Sequence, residues 1–248
     1  AARAAQVPLE LLQARITPAD RDFYTALASP ERTTPGVALI AEIKHASPSE
    51  GVIRADFNPV AIARIYERHA AALSVLCDAP FFGGSHDHLR QVRPVTTRPL
   101  LCKDFILEPY QIWEARDAGA DAVLLMASLL TAEVIEAYLA TVRQLGMEAL
   151  VEVHSDEELE AVLQTSARIV GVNNRDLKTL RVDLETVFRL APRVRTGSGD
   201  RRRLLVAESG VSRPEEVARL RGVADAALIG TTFMRAPDLE AKIQELGW

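Results

Sequence analysis

Cysteine is scarce: Cys77 and Cys102 are the two in 248 residues, and both end short apolar runs. That scarcity excludes a disulfide-built scaffold and fits buried free thiols in a reducing compartment. Long apolar runs are missing as well. None approaches the ~20 residues that a membrane helix needs, and no signal-peptide pattern opens the chain. A cytoplasmic protein is therefore expected. Basic charge is not in excess, since 29 Lys and Arg face 34 Asp and Glu for a net charge of −5. This argues against a general nucleic-acid binder, so an anionic ligand would need a locally basic site. There is no low-complexity segment. No Gly-rich turn follows the first strand-like run, which weakens the case for a doubly wound open sheet.

What the chain does contain is a repeating rhythm. Residues 1–36 form an extension with helical patterning over Pro8–Arg15 and Pro18–Ala28, closed by Ser29-Pro30 and Thr34-Pro35. It is too apolar for a free tail and must cover either the floor or the mouth of whatever follows. From Val37, eight apolar strand-like runs alternate with helical segments. The runs are Val37–Lys44, Leu73–Cys77, Pro99–Lys103, Ala122–Met126, Ala149–Val153, Ile169–Asn173, Leu204–Ala207 and Ala226–Gly230. Helices are expected over Pro59–Ala71, Ser85–Val92, Pro109–Ala118, Ala132–Leu145, Asp156–Gln164, Leu184–Leu190, Pro214–Leu220 and Asp238–Leu246. Continuous apolar strands argue for a parallel sheet covered on both faces, and units of ~30 residues suit βα repeats. A single α/β domain follows: a (β/α)8 barrel over residues 37–248 behind an N-terminal helical extension.

Polar residues cluster at the ends of these runs, where such a barrel places its chemistry. Lys103 ends the third strand; alone it also reads as a solvated terminus. Glu42 and Lys44, two apart, share a face and form either a catalytic pair or a neutralising ion pair. Ser47 opens a turn-rich loop suited to ligand closure. Glu152 interrupts an apolar strand and needs a cation or ligand partner, Lys44 and Lys103 being at hand. His154 has no evident partner and reads as structural. Asn173 ends the sixth strand as a candidate for orienting substrate or carboxylate, while Arg175 and Asp176 are expected to pair with each other. The last two strands end in Glu208-Ser209-Gly210 and Gly230-Thr231-Thr232. Glycines let backbone N–H groups approach an anion, and two such turns in succession point to a phosphorylated ligand, with tight barrel turns as the alternative.

The stretches AEIKHASPSEG, SVLCDAPFFGGS, LLCKDFILEPYQ, LVEVH, GVNNRDLKTL, VAESGV and LIGTTFMRA occur in that order. Together they closely resemble the motifs of indole-3-glycerol-phosphate synthases, from about Val37 to the end of the chain. The resemblance implies a cofactor-free (β/α)8 lyase of tryptophan biosynthesis. Its reaction converts 1-(o-carboxyphenylamino)-1-deoxyribulose 5-phosphate to indole-3-glycerol phosphate, with loss of carbon dioxide and water. Lys103 then resembles the general acid, Lys44 the second catalytic lysine, Glu42 the dehydration base and Glu152 the carboxylate facing the anilino nitrogen. Asn173 and Ser209 resemble orienting residues. Ser47, Gly210, Gly230 and Thr231 resemble the phosphate cradle, and Phe105 the lining of the anthranilate pocket. No metal is implied, and a monomer or weak homo-oligomer is expected. The chain departs from the family in three ways: a shorter helical extension, Cys77 where threonine is frequent, and Thr231-Thr232 where serine is common. A fused phosphoribosylanthranilate isomerase domain is not expected.

Overall fold

The computed structural model describes residues 7–28, 36–177, 179–195 and 202–248. Eight parallel strands close into a barrel. They are β1 (Ala38–Ile43), β2 (Ala72–Leu76), β3 (Leu100–Lys103), β4 (Ala122–Met126), β5 (Glu148–Val153), β6 (Ile169–Asn173), β7 (Leu204–Glu208) and β8 (Ala226–Ile229). Neighbours pair in sequence order, and β8 returns to β1 through Ala38 opposite Ala226. The helices are α1 (Leu9–Arg15), α2 (Phe23–Ala28), α3 (Pro59–His69), α4 (Ala79–Phe82), α5 (His86–Val92) and α6 (Pro109–Asp117). They continue with α7 (Ala132–Gln144), α8 (Asp156–Leu163), α9 (Glu185–Arg195), α10 (Pro214–Leu220), α11 (Thr231–Arg235) and α12 (Leu239–Glu245).

The strand pleat sorts the apolar residues into two clusters. Ala38, Ile40, Leu101, Leu124, Leu150, Ile169, Val206 and Leu228 point into the bore. Their alternates, such as Leu39, Ala41, Val123, Val151 and Val170, pack under the helices. This is why the strands read as continuous apolar runs. At the C-terminal ends the inward positions fall on Glu42, Lys103, Glu152, Asn173 and Glu208, so the bore's last layer is polar.

Within the extension, α1 lies along α6, with Arg15 paired to Asp117 at 2.6 Å, and α2 covers the floor. Phe23 and Leu27 of α2 are completely buried in the inner cluster, and Tyr24 donates its hydroxyl to the Arg202 carbonyl just before β7. The helix begins at Phe23 rather than at Pro18. Asp22 accepts from the Thr25 N–H and hydroxyl and starts it there. Upstream of that cap the backbone is spent on crossing the barrel bottom, with the Ala19 N–H donating to the Leu145 carbonyl. The closing signals at Ser29-Pro30 and Thr34-Pro35 lie outside the described residues. Helix α9 runs on through Pro192 to Arg195, past its expected end at Leu190, because Ala191 and Val194 extend its buried stripe. Helix α4 was not expected. Asp78 caps it by accepting from Phe81 N–H, and left-handed Gly83 ends it after one turn.

Candidate active site

A cavity of about 460 Å³ opens at the C-terminal ends of the strands, and every site residue singled out in the sequence lines it. Lys103, Lys44, Glu42, Glu152, Asn173, Ser209, Ser47, Phe105, Gly210, Gly230 and Thr231 thus meet in one place, although they come from six strands and their loops.

The floor of the cavity is a charged cluster. Lys103 Nζ lies 3.3 Å from Glu152 Oε2 and makes a closer contact with Glu208. Burial disfavours the ammonium, but Glu208, Glu152 and Glu42 outweigh that and hold Lys103 well above the ordinary lysine range. Burial and the Glu152 charge push Glu208 up to about 8 against the pull of Lys103. Glu152 goes the other way. Burial raises it, but Lys103 and His154 hold it well below the carboxylate range. The two carboxyls around one ammonium titrate together, with Glu152 biased toward the ionised form and Glu208 toward the protonated one. Glu208 was passed over in the sequence because it reads as the end of an apolar strand beside a Ser-Gly turn. The signal was its parity: it is inward, two past Val206.

Glu152 also accepts from Asn173 Nδ2 at 3.2 Å, and its Oε1 lies 3.1 Å from His154 Nε2. His154 is therefore partnered, contrary to the sequence reading. Burial lowers its pKa, but Glu152 on one side and Glu158 on the other hold it up at about 9. Arg175 and Asp176 do not make the pair expected of them. Arg175 donates to the Leu180 carbonyl, and Asp176 accepts from the Thr179 N–H, so each ties its own loop.

On the β1 wall, Glu42 Oε1 and Lys44 Nζ are 2.8 Å apart with both side chains nearly buried. Burial raises Glu42, and Lys44 and Lys103 more than reverse it, so Glu42 stays ionised below its ordinary value. Two glycines make room for the carboxylates. A Cβ on Gly230 would stand 2.2 Å from Glu42 Oε1, and one on Gly171 would stand 2.1 Å from Glu208 Oε1. A side chain at position 230 would thus displace the Glu42 carboxylate, whatever that glycine also does for a ligand.

Past the charged floor the cavity has two unlike ends. Phe105 stands with Phe81 at 6.1 Å and Phe82 at 6.3 Å, giving an aromatic wall above β2 and β3. Phe81 and Phe82 come from the unexpected α4. Above β7 and β8, Ser209 (φ 65°) and Gly210 (φ 89°) are both left-handed and turn the chain sharply. Buried Asn174 braces that turn, donating to the Glu208 and Ser209 carbonyls and accepting from Val187 N–H. The first turn of α11 starts at Thr231, and Thr232 donates its hydroxyl to the Val211 carbonyl, joining the two loops. Ser47 lies in a small hairpin (Ala46–Ser47 with Gly51–Val52) that reaches toward α11. There Glu50 meets Arg235 at 2.7 Å, and Arg54 donates to the Met234 and Ala236 carbonyls.

Comparison with known proteins gives this geometry a family. The sequence model described as indole-3-glycerol phosphate synthase matches residues 1–246. A protein of that name from Dechloromonas aromatica (strain RCB) is 45% identical over 99% of this chain and 93% of its own length. One from Roseiflexus sp. (strain RS-1) is 46% identical over 95% and 88%. The tryptophan biosynthesis protein TrpCF of Yersinia pestis is 44% identical over 99% of this chain but only 50% of itself. Among solved structures, tryptophan synthase of Pyrococcus furiosus has a chain that superposes with a TM-score of 0.63 at 14% identity, covering 86% of this chain and 98% of that one. That likeness concerns the fold alone. With a family model spanning almost every residue and two relatives of that name matched over 93% and 88% of their own length, the chain belongs to the indole-3-glycerol phosphate synthase family.

Proposed function

We propose that the cavity converts 1-(o-carboxyphenylamino)-1-deoxyribulose 5-phosphate to indole-3-glycerol phosphate by lysine and glutamate acid–base chemistry. The observation that carries this reading is Lys103, held as an ammonium between Glu152 and Glu208 on the cavity floor. In the first step the ring carbon bearing the carboxylate attacks the ribulose carbonyl. Its electrons become the new carbon–carbon bond, and the carbonyl pair moves to oxygen, which takes a proton from Lys103. An ammonium held high is still a competent acid here, because the alkoxide it meets is far more basic. Ionised Glu152 faces the cation that develops on the anilino nitrogen. Carbon dioxide then leaves, and its bonding pair restores the aromatic ring. In the last step Glu42 removes the proton next to nitrogen while the hydroxyl departs as water, protonated from Lys44 or from proton-bearing Glu208.

Ser47, Gly210, Gly230 and Thr231 are proposed to hold the phosphate at the β7–β8 end, where short-helix and glycine turns suit an anion. Phe105, with Phe81 and Phe82, would stack on the anthranilate ring, and Asn173 and Ser209 would orient hydroxyls and carboxylates. No cofactor is proposed. A monomer or weak homo-oligomer is our reading of the assembly, to be checked by light scattering. The free, buried thiols Cys77 and Cys102 support a reducing, cytoplasmic setting.

The test is turnover followed by indole fluorescence. The unaltered chain should give a steady rise that inorganic phosphate inhibits. Lys103→Ala should abolish the rise while substrate still binds within about tenfold, since the phosphate anchor is untouched. Persistent turnover in that variant would remove Lys103 from its proposed role.

A further inference from the structure

Behind the catalytic strand ends is a second cluster that the proposed chemistry does not use. Cys102 precedes Lys103 on β3, so its side chain points out of the bore and into the helix layer. There it meets Cys77, just past β2, and His86, the first residue of α5. All three side chains are buried, and their donor atoms lie within 4.8 Å of one another. Cys102 Sγ is 3.8 Å from His86 Nε2. Asp104 Oδ2 lies 3.9 Å from the same nitrogen, placing a carboxylate oxygen beside the set.

We propose that Cys77, His86 and Cys102 form a binding site for a soft, tetrahedral cation of the zinc class, with Asp104 or solvent as the fourth donor. Zinc–sulfur bonds of about 2.3 Å and zinc–nitrogen bonds of about 2.0 Å put tetrahedral donors roughly 3.3–3.8 Å apart. The Cys102–His86 separation is at the upper end of that spacing, and the remaining gaps within the set, none above 4.8 Å, close by about an ångström. Two sulfurs and an imidazole select a borderline-soft metal over magnesium or calcium, which require oxygen ligands. Binding replaces two S–H protons with two metal–sulfur bonds and releases the protons to solvent, with no change of oxidation state.

The position gives the site a consequence. Cys77 and His86 bracket the segment that carries Phe81 and Phe82 into the cavity, and Cys102 belongs to the strand that presents Lys103. A cation there would pin the aromatic wall to the catalytic strand without touching any reacting atom.

The experiment is titration of the fully reduced protein with Co²⁺, then displacement by Zn²⁺. One equivalent of Co²⁺ should produce thiolate-to-cobalt charge transfer and tetrahedral visible bands, which Zn²⁺ should erase. Zn²⁺ should raise the melting temperature and protect both thiols from alkylation. Cys77→Val should lose the cobalt bands and the Zn²⁺-induced melting shift while retaining metal-free turnover. Should that variant fail to fold, the alkylation and cobalt measurements on the unaltered chain decide alone. Two titratable thiols without a charge-transfer band overturn the proposal, as would a band that survives in folded Cys77→Val.

Discussion

At the scale of single residues, the sharpest feature is the division of labour between two carboxyls that share one ammonium. Glu208 keeps its proton to about pH 8, far above the unfolded carboxyl near 4.5. Between those values the folded chain binds more protons than the unfolded one, so this group's contribution to stability falls as pH rises through that window. Glu208→Gln, which copies the protonated acid, should match the parent in urea denaturation near pH 5 and exceed it near pH 9. An equal difference at both pH values would contradict the shared-proton arrangement. The glycines behind the carboxylates make a second prediction. Gly171→Ala would drive a methyl into Glu208 and Gly230→Ala one into Glu42. Each should lose turnover at least tenfold and cost about 1–3 kcal/mol by the overpacking of a filled interior, read from kcat and the urea midpoint. Sequence made Glu42, Lys44, Lys103 and Glu152 legible because charge in apolar strands demands a reason. It hid Glu208 beside a turn motif and hid the partners of His154, because Glu158 meets it only once α8 has folded.

At the scale of elements, the strands were legible to within a residue or two because the apolar runs carry their own boundaries. The shifts came where a side-chain contact moved an end: Asp22 starting α2, or the buried stripe of α9 continuing past Pro192. The helix α4 escaped notice because one turn is too short for any periodicity. The hairpin after β1 is the element whose function is least obvious from its residues. It is clamped to α11 by Arg54 on two carbonyls and by Glu50 on Arg235. If this clamp sets the phosphate end, Arg54→Ala should raise KM several-fold with little change in kcat. Steady-state kinetics with the full substrate would show it, and an equal fall in kcat at unchanged KM would place the hairpin in the chemical steps instead.

At the scale of the molecule, stability and chemistry occupy opposite ends of one barrel. The N-terminal ends of the strands are sealed by Phe23 and Leu27 of the extension, both completely buried. Phe23→Ala should cost about 3–5 kcal/mol, seen as a lower urea midpoint, while turnover at low temperature stays near that of the parent. A large loss of turnover in the folded variant would mean that the floor communicates with the mouth. The choice between floor and mouth for the extension was open in the sequence, since an apolar helix fits either. Tertiary contacts from β1, β2 and β7 decide it. The sealed floor also governs traffic. Among the described residues the bore is stoppered from below and the cavity opens at the C-terminal ends of the strands, so the sugar phosphate enters by the mouth through which carbon dioxide, water and the finished indole leave. Arrivals and departures therefore share one path, and the larger product must clear it before the next substrate can settle.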